Sequence, residues 1–217
     1  MLKGIFHIHT KISFDSLIVP ESIVEFALKN GIDFVAVTDH NTIKGAELLE
    51  KIGKIKVIKG AEYSTEKGDI IGLFLKREIK SKNSSEVIRG IREQKGIVYL
   101  PHPYKNHKLD RELVNKVDLI EVFNARSSIE ENRKALKLAY AFKKIPVAGS
   151  DAHFIREVGL TKMVYNGNGD LKRIILENRG CIVECERSFP VYELLGIIVK
   201  TIKLKRIKIL RELWGLL

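Results

Sequence analysis

Short apolar runs, "FVAV" at 34–37, "IVYL" at 97–100 and "PVAG" at 146–149, recur along the chain between segments of helical spacing. This alternation restricts the fold more than any other feature. Runs without a polar face read as strands buried on both sides. Strands that alternate with helices imply a parallel sheet with helices outside it, as in a barrel or a doubly wound sheet. Strand candidates are 2–9, 33–38, 55–63, 69–75, 97–101, 119–123, 146–150 and 161–165. Helix candidates lie between several of them. One opens at Pro20 and stops at Gly31, one has Asn41 or Thr42 as its cap, and one has Ser84 or Ser85 as cap and Gly96 as stop. A fourth, 128–144, carries Ile129, Leu136, Ala139 and Tyr140 at helical spacing, and a fifth runs from Asp170 to Gly180. Neither GxGxxG nor GxxxxGK[ST] occurs, so neither nucleotide-loop fingerprint applies.

A chain of 217 residues builds a full core without disulfides. Cys181 and Cys185, in "CIVEC", read as free thiols in a reducing compartment. The first strand starts within a few residues of Met1, which leaves no room for a signal peptide, and no apolar run makes a clear membrane span. A cytoplasmic protein is expected. Abundant Lys, Ile and Glu with Gln94 as the only glutamine hint at a thermophile.

The polar residues are placed at strand ends. In "GIFHIHT" a period of two puts His7 and His9 on one face and Phe6 and Ile8 on the other. Alone, such a pair reads equally as hydrogen-bonded histidines or as metal ligands. The second, third, fifth, sixth and seventh strands also end on ligand-type residues: Asp39 and His40, Glu62, His102, Glu121 and Asn124, then Asp151 and His153. In α/β barrels the carboxyl ends of the strands form the active face, so these scattered residues would meet there. Five of the six histidines take part and His107 is left over. Imidazoles combined with carboxylates suit Zn²⁺, Mn²⁺ or Fe²⁺. The surplus of ligands suggests two or three ions, with Glu62 as a bridge.

The ordered set of HxH (His7, His9), Asp15, TDH (His40), Glu62, HP (His102) and SDxH (Asp151, His153) resembles the PHP (polymerase and histidinol phosphatase) family, over residues 5 to about 165. The resemblance implies a distorted (β/α)7 TIM-like barrel with a two- or three-metal site at the C-terminal ends of the strands. It implies a metal-dependent phosphoesterase that uses a metal-activated hydroxide, and "IEVFNARS" and "AGSDAHF" look most like its small stand-alone branch. Carried over, one ion takes His7, His9, Glu62 and Asp151, a second shares Glu62 and uses His102, and a third uses Asp15, His40 and His153. The candidate catalytic residues are His7, His9, Glu62, Asp151 and His153. The family often adds a ligand from the sixth strand. Here Asn124, nearest the strand end, is expected as a weak ligand or substrate contact, with Glu121 orienting other ligands.

Arg126 could hold a phosphate bidentately, and Lys105 and His107 follow the PHP tripeptide on the same face; each could equally be a solvated loop residue. Asp39 could orient His40 or cap a turn. The net charge of +11 fits a polyanionic partner, a nucleotide, an oligonucleotide end or nucleic acid, but Lys-rich solvated faces are also usual in thermophile proteins. Histidinol phosphate, a non-phosphate substrate and nucleic-acid binding without turnover are the alternatives. Residues 1–188 form the barrel domain and 189–217 a basic amphipathic extension, with Lys200, Lys203, Lys205, Arg206, Lys208 and Arg211 among apolar residues. That tail could pack on the barrel or across a homo-oligomer interface, or bind a membrane surface; its period fits a helix or a strand.

Overall fold

The computed structural model describes residues 1–105, 109–177 and 180–214, with side chains described through residue 205. Seven strands close a barrel in the order β1 (Leu2–Ile8), β2 (Phe34–Val37), β3 (Lys56–Thr65), β4 (Gly68–Leu73), β5 (Ile97–Leu100), β6 (Leu119–Asn124) and β7 (Ile145–Ala152). β7 returns to pair in parallel with β1, which also pairs in parallel with β2. β4 departs from the all-parallel expectation and runs antiparallel to both its neighbours. The reason is chain length. Only Glu66 and Lys67 separate β3 from β4, which suffices for a hairpin but not for a crossover. Gly68, at φ 110°, supplies the backbone conformation needed to leave that turn. Two further strands, β8 (Thr161–Tyr165) and β9 (Cys181–Cys185), extend antiparallel from the start of β1.

The helices are α1 (Pro20–Lys29), α2 (Lys44–Ile52), α3 (Ser84–Glu93), α4 (Arg111–Lys116), α5 (Ile129–Ala141), α6 (Leu171–Glu177) and α7 (Pro190–Trp214). Caps differ from expectation by a residue or two. α3 is capped by Asn83, whose side chain accepts from Glu86 N–H, and α2 starts only after Ile43. α5 has a full capping box between Ser128 and Glu131. Its buried face is Asn132, Ala135, Leu138 and Ala139, whereas Ile129, Leu136 and Tyr140 are exposed. The apolar stripe read from the sequence is therefore rotated away from the core. Cys181 and Cys185 are free thiols on the exposed β9. The C-terminal extension is helical. Among the described residues no helix is long and apolar enough to cross a membrane.

Phe6, Phe34, Ile58, Leu119 and Tyr165 form one core cluster, with Phe6 and Phe34 edge to face at 5.6 Å. A second cluster seats Ile5, Ile8 and Val35 against Ile23 and Ala27 of α1 and Leu49 of α2. Phe6 and Ile8 thus fall on different faces, against a simple period of two. His7 has φ 62°, and the pairing of β1 shifts register beside it on both sides. Against β2 the extra residue lies in β1, between Ile5 and Ile8, whereas against β7 it lies in β7, between Gly149 and Ala152, and His7 sits at this irregularity.

Candidate metal centre

The eight expected ligands meet at the carboxyl-terminal rim. His7 Nε2 lies 3.5 Å from both Glu62 Oε2 and Asp151 Oδ1, and His9 Nε2 lies 3.3 and 3.5 Å from the same two oxygens. His40 Nδ1 is 3.3 Å from Glu62 Oε2, and His102 Nε2 is 3.0 Å from Glu62 Oε1. Glu62 is thus the one carboxylate approached by four imidazoles. Asp15 Oδ2 sits 3.1 Å from His40 Nε2 and 3.4 Å from His153 Nε2.

Four groupings could each hold an ion: His9, Asp15, His40 and His153; His7, His102 and Asp151; His7, His9 and Glu62; and Glu62, Asp69 and His102. The donor set fits a metal. His7 Nε2, His9 Nε2 and Asp15 Oδ1 are buried and make no hydrogen bond, although buried polar atoms are nearly always partnered. Nitrogen and carboxylate donors are those of Zn²⁺, Mn²⁺ and Fe²⁺ sites. Backbone strain concentrates here: His7, His102 and Asp151 all have positive φ, at 62°, 22° and 48°.

Electrostatics separates the histidines. Burial, with His153 and His40 beside it, pushes His9 down to about 3, so its ring is neutral at ordinary pH. Burial would also lower His40, but Glu62 and Asp15 outweigh it and raise it to about 9. His7 is likewise held well above its usual value, with Glu121, Asp151 and Glu62 outweighing burial. Burial would raise Glu62, Asp151 and Asp15, yet the surrounding imidazoles hold all three carboxyls below their ordinary range.

Glu121 is completely buried and braces the site. Its Oε1 accepts from His7 Nδ1 at 2.9 Å and from the Tyr99 hydroxyl, and its Oε2 accepts from His102 N–H at 2.7 Å and from Asn124 Nδ2 at 2.8 Å. This is the expected orienting role. Asn124 differs from expectation. Its amide also reaches Asp151 Oδ2 at 3.3 Å, so it braces two carboxylates instead of facing substrate. Period two should have set Glu121 and Asn124 on different faces, but β6 changes register between Glu121 and Phe123. Asp39 accepts from Thr10 N–H and from the Thr10 and Ser13 hydroxyls, and Ser13 Oγ in turn accepts from His40 N–H at 3.0 Å.

The expected phosphate fork of Arg126 is already used. Its Nε and Nη2 donate to Glu157 at 2.9 and 2.8 Å, and Glu157 is fully buried. Arg126 still lines the groove over the site, with Lys105, Phe14, Ser64, Asp69 and Lys200. Lys105 Nζ is 3.7 Å from Asp151 and 3.1 Å from Glu193 of α7. His107 lies outside the described residues.

Sequence reasoning missed Asp69, Tyr99 and Glu157, and the contribution of α7. Asp69 could have been found. It is the second residue of β4, and on a reversed strand the amino end lies at the active rim, where Asp69 pairs with Ser64.

The chain is 38% identical over 164 residues to Uncharacterized protein MJ1587 of Methanocaldococcus jannaschii, a span that covers 67% of this chain and 94% of that one. It is 36% identical over 171 residues to Uncharacterized protein MJ0417 of the same organism, covering 73% and 68%. Among solved structures it resembles a two-domain protein from Bacteroides vulgatus described as containing a predicted PHP-like metal-dependent phosphoesterase. That match has a TM-score of 0.72 and 20% identity, and covers 85% of this chain but only 65% of the other. An amidohydrolase from Chromobacterium violaceum with bound sulfate matches at TM-score 0.59 and 14% identity, covering 88% and 96%. These two structures share the fold. The family model for the PHP domain matches residues 6–186, which takes in every candidate ligand of the rim, and the chain belongs to the PHP domain family.

Proposed function

We propose that this protein is a metal-dependent phosphoesterase that hydrolyses phosphate esters of nucleotides or oligonucleotide ends. The observation that carries this reading is the convergence of His7, His9, His40, His102 and His153 with Asp15, Glu62 and Asp151 at one barrel rim, beneath a groove bordered by cationic side chains. His7, His9, Glu62, Asp151 and His153 form the catalytic core. When bound, two or three divalent ions (Mn²⁺, Zn²⁺ or Fe²⁺) supply Lewis-acid stabilisation of the phosphoryl oxygens and an activated water. The protein's own residues do the rest. Glu62 and Asp151 fix the spacing of the imidazoles on either side of them. Glu121 holds the His7 ring by Nδ1, which leaves Nε2 free to ligate. Lys105 and Lys200 draw an anion toward the rim, and the Phe14 ring, stacked on His40 at 4.6 Å, walls one side of the groove.

The net charge of +11 supports a substrate with more negative charge than a singly phosphorylated sugar. The test is a panel of nucleoside phosphates, short oligonucleotides, histidinol phosphate and sugar phosphates with added Mn²⁺, read as phosphate release and chain shortening at two salt concentrations. Nucleotide-type substrates are expected to give the highest kcat/KM, falling as salt rises. A sugar phosphate or histidinol phosphate as best substrate would overturn the substrate class. Cleavage of C–N bonds with no phosphate release would overturn the phosphoesterase reading and favour the chemistry named for the Chromobacterium neighbour.

A further inference from the structure

α7 begins at Pro190, beyond the residues matched by the family model, yet it lies against the metal centre. Its contacts recur every three or four residues and therefore share one helix face. Glu193 pairs with Lys105 at 3.1 Å, Gly196 approaches Arg126, Lys200 Nζ sits 5.0 Å over the Phe14 ring, and Lys203 points into the loop that follows β1. The Lys203 ammonium donates to three backbone carbonyls there: Lys11 at 3.0 Å, Ser13 at 2.7 Å and Ser16 at 2.6 Å. An ammonium has three N–H donors, and this cage uses all of them.

The loop carries Asp15. Each of the other expected ligands lies in a strand or within three residues of a strand end, where the sheet fixes its backbone. Asp15 lies seven residues past Ile8 and has no ladder to hold it. The loop is also tied through its side chains, with Ser13 Oγ donating to Asp39 Oδ1 at 2.9 Å and accepting from His40 N–H at 3.0 Å. Thr10 is bound to Asp39, and Ser16 Oγ donates to the carbonyls of His9 and His153 at 2.9 and 3.0 Å. The carbonyls of Ser13 and Ser16 bracket Asp15, and Lys203 draws them together.

We propose that Lys203 is a positioning residue for Asp15, through which the C-terminal helix sets the affinity of the ion held by Asp15, His40 and His153. This rests on the metal reading of the rim. Freezing a loop before the ligand arrives removes its ordering entropy from the binding step, so a clamp of this kind acts on affinity.

The test compares wild type with Lys203→Met, which keeps the apolar stem, and Lys203→Arg, which restores donors. Chelated protein is titrated with Mn²⁺ and with Zn²⁺ by calorimetry, metal content is measured after desalting, and unfolding of the chelated form is followed by circular dichroism. Lys203→Met is expected to weaken one ion only, the one whose binding Asp15→Ala also removes, by about tenfold or more as for other residues that orient ligands, and to leave the other sites within about twofold. Lys203→Arg is expected to recover part of that loss. In an Asp15→Ala background, Lys203→Met should change metal binding no further, an outcome a merely structural lysine would not produce. If Lys203→Met does not fold, Lys203→Gln is measured in its place by the same criteria. A folded variant with unchanged stoichiometry and affinity would overturn the assignment, as would equal weakening of every ion together with lost stability. Wild type that binds no metal would overturn both this and the metal reading itself.

Discussion

The substitution Glu121→Gln probes the brace under the metal centre with almost no change of shape. Four donors converge on this carboxylate, two on each oxygen: His7 Nδ1 and the Tyr99 hydroxyl on Oε1, His102 N–H and Asn124 Nδ2 on Oε2. A glutamine offers one oxygen and one NH₂. Turned one way, the NH₂ faces two fixed donors, His102 N–H and Asn124 Nδ2; turned the other, it faces His7 Nδ1 and the Tyr99 hydroxyl, which accept only after the imidazole changes tautomer and the hydroxyl rotates. Hydrogen bonds to a charged group are worth about 1.5–3 kcal/mol each, so losing two implies about 3–6 kcal/mol before relaxation. Part of that is recovered in the second orientation, where both partners can accept, and about 1.5–3 kcal/mol is expected against the roughly 5–15 kcal/mol of a whole domain.

The same change acts on metal binding. His7 donates from Nδ1 to Glu121, so the proton that a metal displaces is the one on Nε2, which faces Glu62 and Asp151. With an NH₂ against Nδ1 the favoured tautomer reverses, and Nε2 carries the proton. Loss of such a partner lowers metal affinity by about 10–100-fold, equivalent to about 1.4–2.8 kcal/mol. Denaturant unfolding of the chelated protein and calorimetric titration with Zn²⁺ measure the two effects. Glu130→Gln, on the exposed face of α5, is the control and should stay within about 0.5 kcal/mol. A Glu121→Gln protein within about 0.5 kcal/mol in stability and twofold in affinity of wild type would refute the bracing argument.

Gly149→Ala should damage the same brace from the other side, because a Cβ there would lie 1.7 Å from Glu121 Oε1 and 3.0 Å from His7 Cβ. Lower thermal stability and weaker metal binding are expected, by calorimetry, and a variant matching wild type in both would contradict the packing. In the chelated protein, His40 has its pKa raised from 6.5 to about 9, so its contribution to stability is fully present below about pH 6.5 and is lost as pH rises through 9. Denaturant unfolding between pH 6 and 9 should therefore show stability falling by up to about 3 kcal/mol. Metal affinity should rise over the same range, because ligation displaces the proton. Flat stability in the chelated protein would contradict the charge placement at His40.

The fold was legible because each strand run is short, apolar and bounded by turn residues, and because β/α alternation allows few architectures. The reversed β4 was legible too, had the gap been weighed: two residues after Thr65 cannot carry a chain across a sheet. The buried face of α5 was less so. Of the expected stripe Ile129, Leu136, Ala139 and Tyr140 only Ala139 is buried, and the core adds Ala135, so that small side chains allow the helix to approach β6 and β7. Periodicity locates an apolar face; it does not say which face the neighbouring strands leave room for.

The candidate ligands were legible, as was Glu121 as an orienting residue, while the partners that tie these supports together were not, for a physical reason. A metal needs particular donor types at strand ends, and both properties are written locally in the chain. A brace needs register. His7 meets Glu121 across 114 residues, and Lys203 meets Ser13 across 190, so neither pairing leaves a local trace. Bulges compound this. The period of two separated Glu121 from Asn124, whereas the register shift of β6 brings both beneath the rim, and the shifts beside His7 set Phe6 and Ile8 on different faces. The positive φ of His7, His102 and Asp151 belongs to the same economy of geometry: a regular strand points alternate residues inward, and a site with this many ligands needs more inward positions than regular strands supply. The departures from ideal β geometry are therefore where the metal chemistry should be sought first in a barrel of this kind.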